Sequence, residues 1–306
     1  MSASSISFEI FPPRDDKAWK TLRPAMKELA DYNPAFVSVT YGAGGSSRPA
    51  TLETLKWLTG ESRLTAGGHL TCVGAPRSEI DAVVKAYREL DVHHVVALRG
   101  DMPGGPEEAY VPHPEGYGST ADLIRGIREI GEFDISVSAY PEKHPHSPDF
   151  ETDLDVLAAK ADAGANRAIT QFFFDNDYFY RFRDRVAARG IDINLVPGVL
   201  PIGAFPQVSK FAARCQSTIP QRVADKFDGL DPKSEMHRLV AAAVAAEQVD
   251  DLSANGVEEF HFYTLNQAPL TIACCRMLGR LPSRVTTPPA SAGQGGGEQL
   301  ASAGNG

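Results

Sequence analysis

No C-x-x-C pair, no apolar run long enough to span a bilayer and no stripe of lysines and arginines occurs in this chain of 306 residues. Each absence removes a class of function. The four cysteines, Cys72, Cys215, Cys274 and Cys275, have neither zinc-ligand spacing nor the density of a disulfide framework, so they read as reduced core thiols. Without a long apolar run or a charged leader ahead of the first strand-like segment, the chain is expected in the cytoplasm, without a membrane partner. A formal net charge of −9 with no basic stripe argues against nucleic acid as a partner. Hydrophobic residues at 42% and charged residues at 23% are a globular balance, enough to bury a sizeable core.

What is present is alternation. Eight short β-branched or aromatic runs follow one another: SFEIF, FVSVTYG, GGHLTCVG, HHVVALRGD, FDISVSAY, NRAITQFFF, NLVPGVLP and EFHFYTLN. Amphipathic stretches such as AWKTLRPAMKELADY, EIDAVVKAYRELD, STADLIRGIREIGE and DLDVLAAKADAGA lie between them, with apolar residues returning every three or four positions. Strand and helix in alternation predict parallel strands with right-handed crossovers, and eight such units close into a (β/α)₈ TIM barrel. The competing architecture is an open doubly wound sheet. Against it, no G-x-G-x-x-G follows the first strand, and polar residues end nearly every strand. The expected division is a catalytic barrel over 1–280 and a Pro/Ser/Gly-rich tail over 281–306 that cannot bury enough apolar surface to order itself.

Barrel enzymes gather their reacting groups where the strands end, and those ends are unusually polar here. Glu9 lies within an apolar strand, where a carboxylate must find a partner or have its pKa raised, and a raised pKa makes a general acid. ALRGD delivers Arg99, Gly100 and Asp101, which could grip a planar ligand or form an internal ion pair. Gln171 offers an amide donor and acceptor to a heterocycle edge, or is a satisfied core glutamine. His69 reads equally as a ligand contact and as a core histidine. His144-Pro145-His146 lacks a second cluster with ligand spacing, so no metal is expected.

With those residues in hand, SFEIFPPR, FVSVTYGAGG, HLTCVG, HVVALRGDMPGG, DISVSAYPEKHP, DAGANRAITQFFFD, PGVLPI and FHFYTLN, in that order, resemble the methylenetetrahydrofolate reductase family of the bacterial single-domain type. The resemblance implies an oxidoreductase using FAD, with NADH or NADPH as co-substrate, that reduces 5,10-methylenetetrahydrofolate to 5-methyltetrahydrofolate for methionine synthesis by ping-pong turnover. It implies that Glu9 is the general acid and that Asp101 tunes the flavin and binds substrate. Thr40, Tyr41, Ala43, His69, Arg99, Gly100, Tyr140, His144, Asp153 and Lys160 match cofactor-contacting positions, and Gln171, Gln207, Phe211 and Gln267 match substrate-side ones. Relatives form homo-oligomers, so the resemblance implies one here. Three departures stand out. Val156 and Ala159 replace the family's flavin-contacting Asn and Arg, Gln267 replaces an Arg facing the folate tail, and the spacing near Thr120 differs. The first leaves open direct hydride transfer from NAD(P)H without flavin. A non-catalytic folate- or flavin-binding barrel is the other alternative.

Overall fold

The computed structural model describes residues 4–283 except 43–46, 103 and 105–107. The apolar runs form β1 (Ser5–Ile10), β2 (Phe36–Val39), β3 (Ala66–Thr71), β4 (His94–Leu98), β5 (Asp134–Ala139), β6 (Arg167–Thr170), β7 (Asn194–Val196), β8 (Gly198–Val199) and β9 (Glu259–Tyr263). All pair in parallel, in the order β7-β6-β5-β4-β3-β2-β1-β9-β8. The last pairing brings β8 back beside β9, and Pro197 alone separates β8 from β7, so the sheet closes into a TIM barrel.

NLVPGVLP, read as one strand, is therefore two. Proline has no N–H for the ladder. Its carbonyl still accepts from His261 N–H at 3.0 Å, while Gly198 N–H turns to the Thr170 hydroxyl at 2.9 Å. The first half of the run pairs with β6 and the second with β9.

Helices return the chain between strands: α1 (Asp16–Ala30), α2 (Arg48–Gly60), α3 (Arg77–Glu89), α4 (Thr120–Ile130), α5 (Phe150–Asp162), α6 (Asn176–Ala188), α7 (Phe205–Cys215), the single turn α8 (Gln221–Ala224), α9 (Glu235–Ala254) and α10 (Pro269–Met277). Their starts follow the chemistry of orphan amides. Asp15, Ser119, Asp149 and Ser234 each accept a backbone N–H of the first turn. No described helix is long and apolar enough to cross a membrane. The expected tail lies, from residue 284, outside the described residues.

Alternation along the strands sorts the residues into two faces. Outward-facing Phe8, Val37, Leu70, Val95, Ile135 and Phe260 pack under the helices and form the main core. Inside the barrel, the apolar cluster among the described residues is Phe36, Ile169 and Val196. Barrel interiors are ordinarily packed with branched apolar side chains. Here Ser7, Ser38, His69, His94, Ser136 and His261 are buried at inward positions instead, so the interior is equipped for polar chemistry.

Candidate active site

Glu9 is the penultimate residue of β1 and points inward with Ser7, two positions away. Thr264, just beyond β9, fixes its backbone by donating to the Glu9 carbonyl through Oγ1 at 2.7 Å and through N–H at 3.2 Å. The side chain, 16% exposed, lies in the wall of a cavity of about 370 Å³. Two buried imidazoles face it: His69 Nε2 is 3.4 Å and His261 Nε2 is 3.8 Å from Oε2.

Burial pushes the Glu9 carboxyl up, but His69 and His261 together outweigh it and bring the pKa below the ordinary value. The carboxylate thus has partners, and the expectation of a pKa raised by desolvation alone is corrected. Burial holds His69 down at about 4, which keeps its ring neutral near pH 7. Its Nε2 is also 3.2 Å from Ser38 Oγ.

Strand ends supply the rest of the cavity wall. Thr40 and Tyr41 follow β2, Gly100 and Asp101 follow β4, Tyr140 follows β5, Gln171 follows β6, and Phe211 reaches over from α7. Gly100 has φ +84°, a left-handed backbone that suits glycine and interrupts the strand alternation. Arg99 and Asp101 consequently make no ion pair; Arg99 lies over the Tyr110 ring at 5.2 Å, with Nη2 3.3 Å from His146 Nδ1. Asp101 is exposed at the mouth. Thr71 Oγ1, in the same wall, is buried without a described partner.

A second cavity of about 250 Å³ adjoins the first, sharing Asp101, Tyr140, Gln171 and Phe211 with it. Arg99, Arg214, His144 and His146 stand in its other walls, with Pro145 and Cys215. His144 is kept near 4, first by burial and then by the neighbouring cations. Behind this wall Asp153 accepts the His144 N–H at 3.1 Å and the Ser147 hydroxyl at 2.9 Å. Lys160 Nζ donates to the Ser138 carbonyl at 2.8 Å, and burial lowers its pKa to about 8. Among the described residues no group of three His, Cys, Asp or Glu could hold a metal ion.

An aromatic-walled cavity with one buried carboxylate and a cationic annex suits a flat, partly anionic ligand. A family model described as methylenetetrahydrofolate reductase matches residues 2–279. The chain belongs to the methylenetetrahydrofolate reductase family. It is 45% identical over 278 residues to the 5,10-methylenetetrahydrofolate reductase of Escherichia coli (strain K12), covering 91% of this chain and 92% of that one. With the Pectobacterium carotovorum enzyme of the same name it shares 45% over 280 residues, 91% of each chain. Methylenetetrahydrofolate reductase (NADH) 1 of Arabidopsis thaliana is 32% identical, over 90% of this chain and 48% of that protein. Among solved structures, a Clostridium thermocellum protein described as binding two copies of 5-methyl-5,6,7,8-tetrahydrofolic acid superimposes with a TM-score of 0.60 at 10% identity, covering 90% and 94% of the two chains. At that identity the likeness is one of fold.

Within this methylenetetrahydrofolate reductase barrel, the residues singled out in the sequence fall into three places. Glu9, Thr40, Tyr41, His69, Gly100 and Asp101 line the first cavity, as do Tyr140, Gln171 and Phe211. Arg99 and His144 line the annex, with Asp153 and Lys160 behind it. Gln207 is exposed on α7 and lines neither cavity, and Gln267 lies in a third cavity of about 490 Å³ together with Arg238. Val156 is 47% exposed on α5. Thr120 is buried in the first turn of α4, and Ala43 lies outside the described residues.

Sequence reasoning passed over His261, Ser7 and Cys215. The first two were legible by alternation, standing two positions from Tyr263 and Glu9; Cys215 is brought to the wall by the whole length of α7. Asn266, just beyond β9, is a clasp: its amide oxygen accepts Phe11 N–H at 2.8 Å and its amide nitrogen donates to Phe11 O at 3.0 Å.

Proposed function

We propose that the protein reduces 5,10-methylenetetrahydrofolate to 5-methyltetrahydrofolate with NADH or NADPH, through FAD and by ping-pong turnover. The observation that carries this reading is a buried carboxylate, Glu9, in the same cavity as Asp101 and Gln171 and next to a cationic annex. The names of the bacterial relatives support the reaction.

The residues fit a flavin. Tyr41 and Tyr140 offer walls for a planar ring system, the unpartnered Thr71 hydroxyl offers a hydrogen bond, and Arg99 with Arg214 offers cations for a pyrophosphate. Held by these residues, a flavin would supply hydride transfer between the nicotinamide and the folate methylene carbon. Opening the folate's five-membered ring to an iminium requires a proton on the departing nitrogen, and Glu9 supplies it from its protonated form, which the covering of the cavity by substrate favours against the lowering effect of His69 and His261. Asp101, at the mouth, receives the pterin edge and places negative charge beside the redox centre. Gln171 presents its amide to each reactant in turn. Lys160 and Asp153 hold the annex wall through Ser138 and His144.

A second reading, hydride transfer from NAD(P)H to the same folate without flavin, draws on Val156 and Ala159 of α5, which put no polar side chain where the family has two. The absorption spectrum separates them. The purified protein is expected to be yellow and to bleach with NADH in the absence of folate; a colourless protein that FAD cannot reconstitute, yet which reduces the folate, supports direct transfer. Glu9→Gln is expected to keep flavin reduction and to lose about 10²–10⁴-fold in folate reduction. Undiminished folate reduction by this variant would refute the acid assignment.

A further inference from the structure

Below Glu9 the barrel holds an imidazole that the proposed reaction leaves without a role. His261 of β9 is fully buried, and its Nε2 has no hydrogen-bond partner among the described residues. Glu9 Oε2 is 3.8 Å away, a gap that rotation of the carboxylate can shorten. The other ring nitrogen, Nδ1, is 2.8 Å from Ser7 Oγ, which is itself 3.3 Å from the Phe260 carbonyl.

A serine hydroxyl has one proton to give and lone pairs that accept, so Ser7 satisfies His261 in two ways. When Nδ1 carries a proton, it donates to Ser7 Oγ and the hydroxyl turns to Phe260 O. When Nδ1 is bare, the hydroxyl donates to it and the ring proton sits on Nε2, facing Glu9. The imidazole can therefore hold one proton or two without orphaning Nδ1. His69 lacks this freedom, because its contacts with Ser38 and with Glu9 both fall on Nε2.

We propose that His261 is the positioning residue that keeps the Glu9 proton, with Ser7 as the rotor that accommodates both of its protonation states. This rests on the reading of Glu9 as the acid. In the acid form one proton is shared between Glu9 Oε2 and His261 Nε2, and Nδ1–H donates to Ser7. On reaction the Glu9 O–H bond breaks and an N–H bond forms on the departing folate nitrogen. The pair is then one proton short, its remaining proton on Nδ1 and donated to Ser7, and the carboxylate stays ionised until solvent entering the emptied cavity returns a proton to the Oε2–Nε2 pair.

The surroundings bear on that balance from every side. β1 contributes Glu9 and β3 contributes His69. Phe36 of β2 stacks on His261 at 5.8 Å and on His94 of β4 at 3.7 Å. Arg167 of β6 lies over Phe36 at 5.6 Å, paired at 2.8 Å with Asp134 of β5. Tyr263 stands edge-on to His261 at 5.5 Å, and β8 opposes it with Gly198, which carries no charge.

The test is ¹⁵N-histidine NMR of the full chain as purified, from pH 5 to 9, beside the pH profile of folate reduction. The His261 ring resonances are expected to shift in Glu9→Gln, because the group facing Nε2 at 3.8 Å no longer carries charge. Ser7→Ala is expected to change the His261 tautomer ratio and to lower kcat about tenfold with KM unchanged, and His261→Gln to alter the pH profile of folate reduction. Identical His261 resonances in the unmodified protein and Glu9→Gln overturn the pairing. So does an unchanged profile in a folded His261→Gln, and, should that variant not fold, an unchanged tautomer in Ser7→Ala. The NMR arm uses no substrate. If Glu9→Gln still reduces folate, the acid assignment fails and takes the catalytic role of His261 with it, whereas the physical pairing is judged by the resonances alone.

Discussion

Gly198 is where the barrel closes, and Gly198→Ala tests that closure. A Cβ built there would lie 2.1 Å from the Thr170 carbonyl oxygen and 2.6 Å from the Tyr263 ring. The first obstacle is backbone and cannot rotate away; the second is a side chain held by its own hydrogen bond, Tyr263 Oη to Thr170 O at 2.8 Å. Overpacking a tight site costs about 1–3 kcal/mol, and losing that bond about 1 kcal/mol more. A sum of about 2–4 kcal/mol corresponds to a fall in Tm of roughly 3–7 °C for a domain of this size. Gly60→Ala is the control: at the last residue of α2 its Cβ would meet nothing within 4 Å, so it should be neutral or stabilise by about 0.5–1 kcal/mol. Thermal melting by circular dichroism reads both. A Gly198→Ala protein that melts within about 2 °C of the unmodified one would refute the packing argument. Because Tyr263 also walls the first cavity, a folded variant should have a raised folate KM.

Other outcomes follow from groups whose environment is defined. His69, held at about 4 by burial, binds fewer protons when folded than when unfolded, so its contribution to stability is complete above pH 6.5 and disappears as pH falls toward 4. The loss approaches about 3 kcal/mol; urea midpoints across that window should fall less steeply in His69→Gln, and equal slopes would exclude the assignment. Lys160, titrating near 8, should make FAD affinity decline above that pH as the cation behind the annex disappears; Lys160→Met should bind FAD more weakly at pH 7 and lose the dependence, as equilibrium dialysis can check. Restoring polar groups on α5 with V156N and A159R together should tighten FAD about tenfold, equivalent to about 1.4 kcal/mol; no gain would mean that this helix does not touch the cofactor. Gln267→Arg should lower the KM for folates with anionic tails several-fold, more at low salt than at high.

The barrel was legible because its evidence is local: β-branched runs at strand length and amphipathic stretches between them. Pro197 was visible too, but whether a proline splits a strand or only marks its edge depends on which neighbours need its N–H. That is settled by β6 and β9, tens of residues away in sequence. Glu9 could be singled out because a carboxylate in SFEIF is costly wherever it lands. Its electrostatics could not, since the groups that reverse the effect of burial arrive from β3 and β9. The outward turn of Arg99 over Tyr110 likewise depends on the left-handed backbone at Gly100, which ALRGD permits but does not require. Gln171 and Phe211 reach one cavity only because β6 and α7 end beside each other.

β1 pairs with β9 in register, Glu9 opposite Tyr263 and Ser7 opposite His261. The two halves of the proton-holding pair are thus contributed by the first and last strands made. A growing chain has no such pair until nearly all of the barrel has been synthesised, and a contact of that sequence separation belongs to the slow, late part of folding. Loss of the β1–β9 seam would silence the acid before the helices melt. Activity is then the most sensitive gauge of whether the ring is shut, and enzyme assays along a denaturant series should fall ahead of helical circular dichroism.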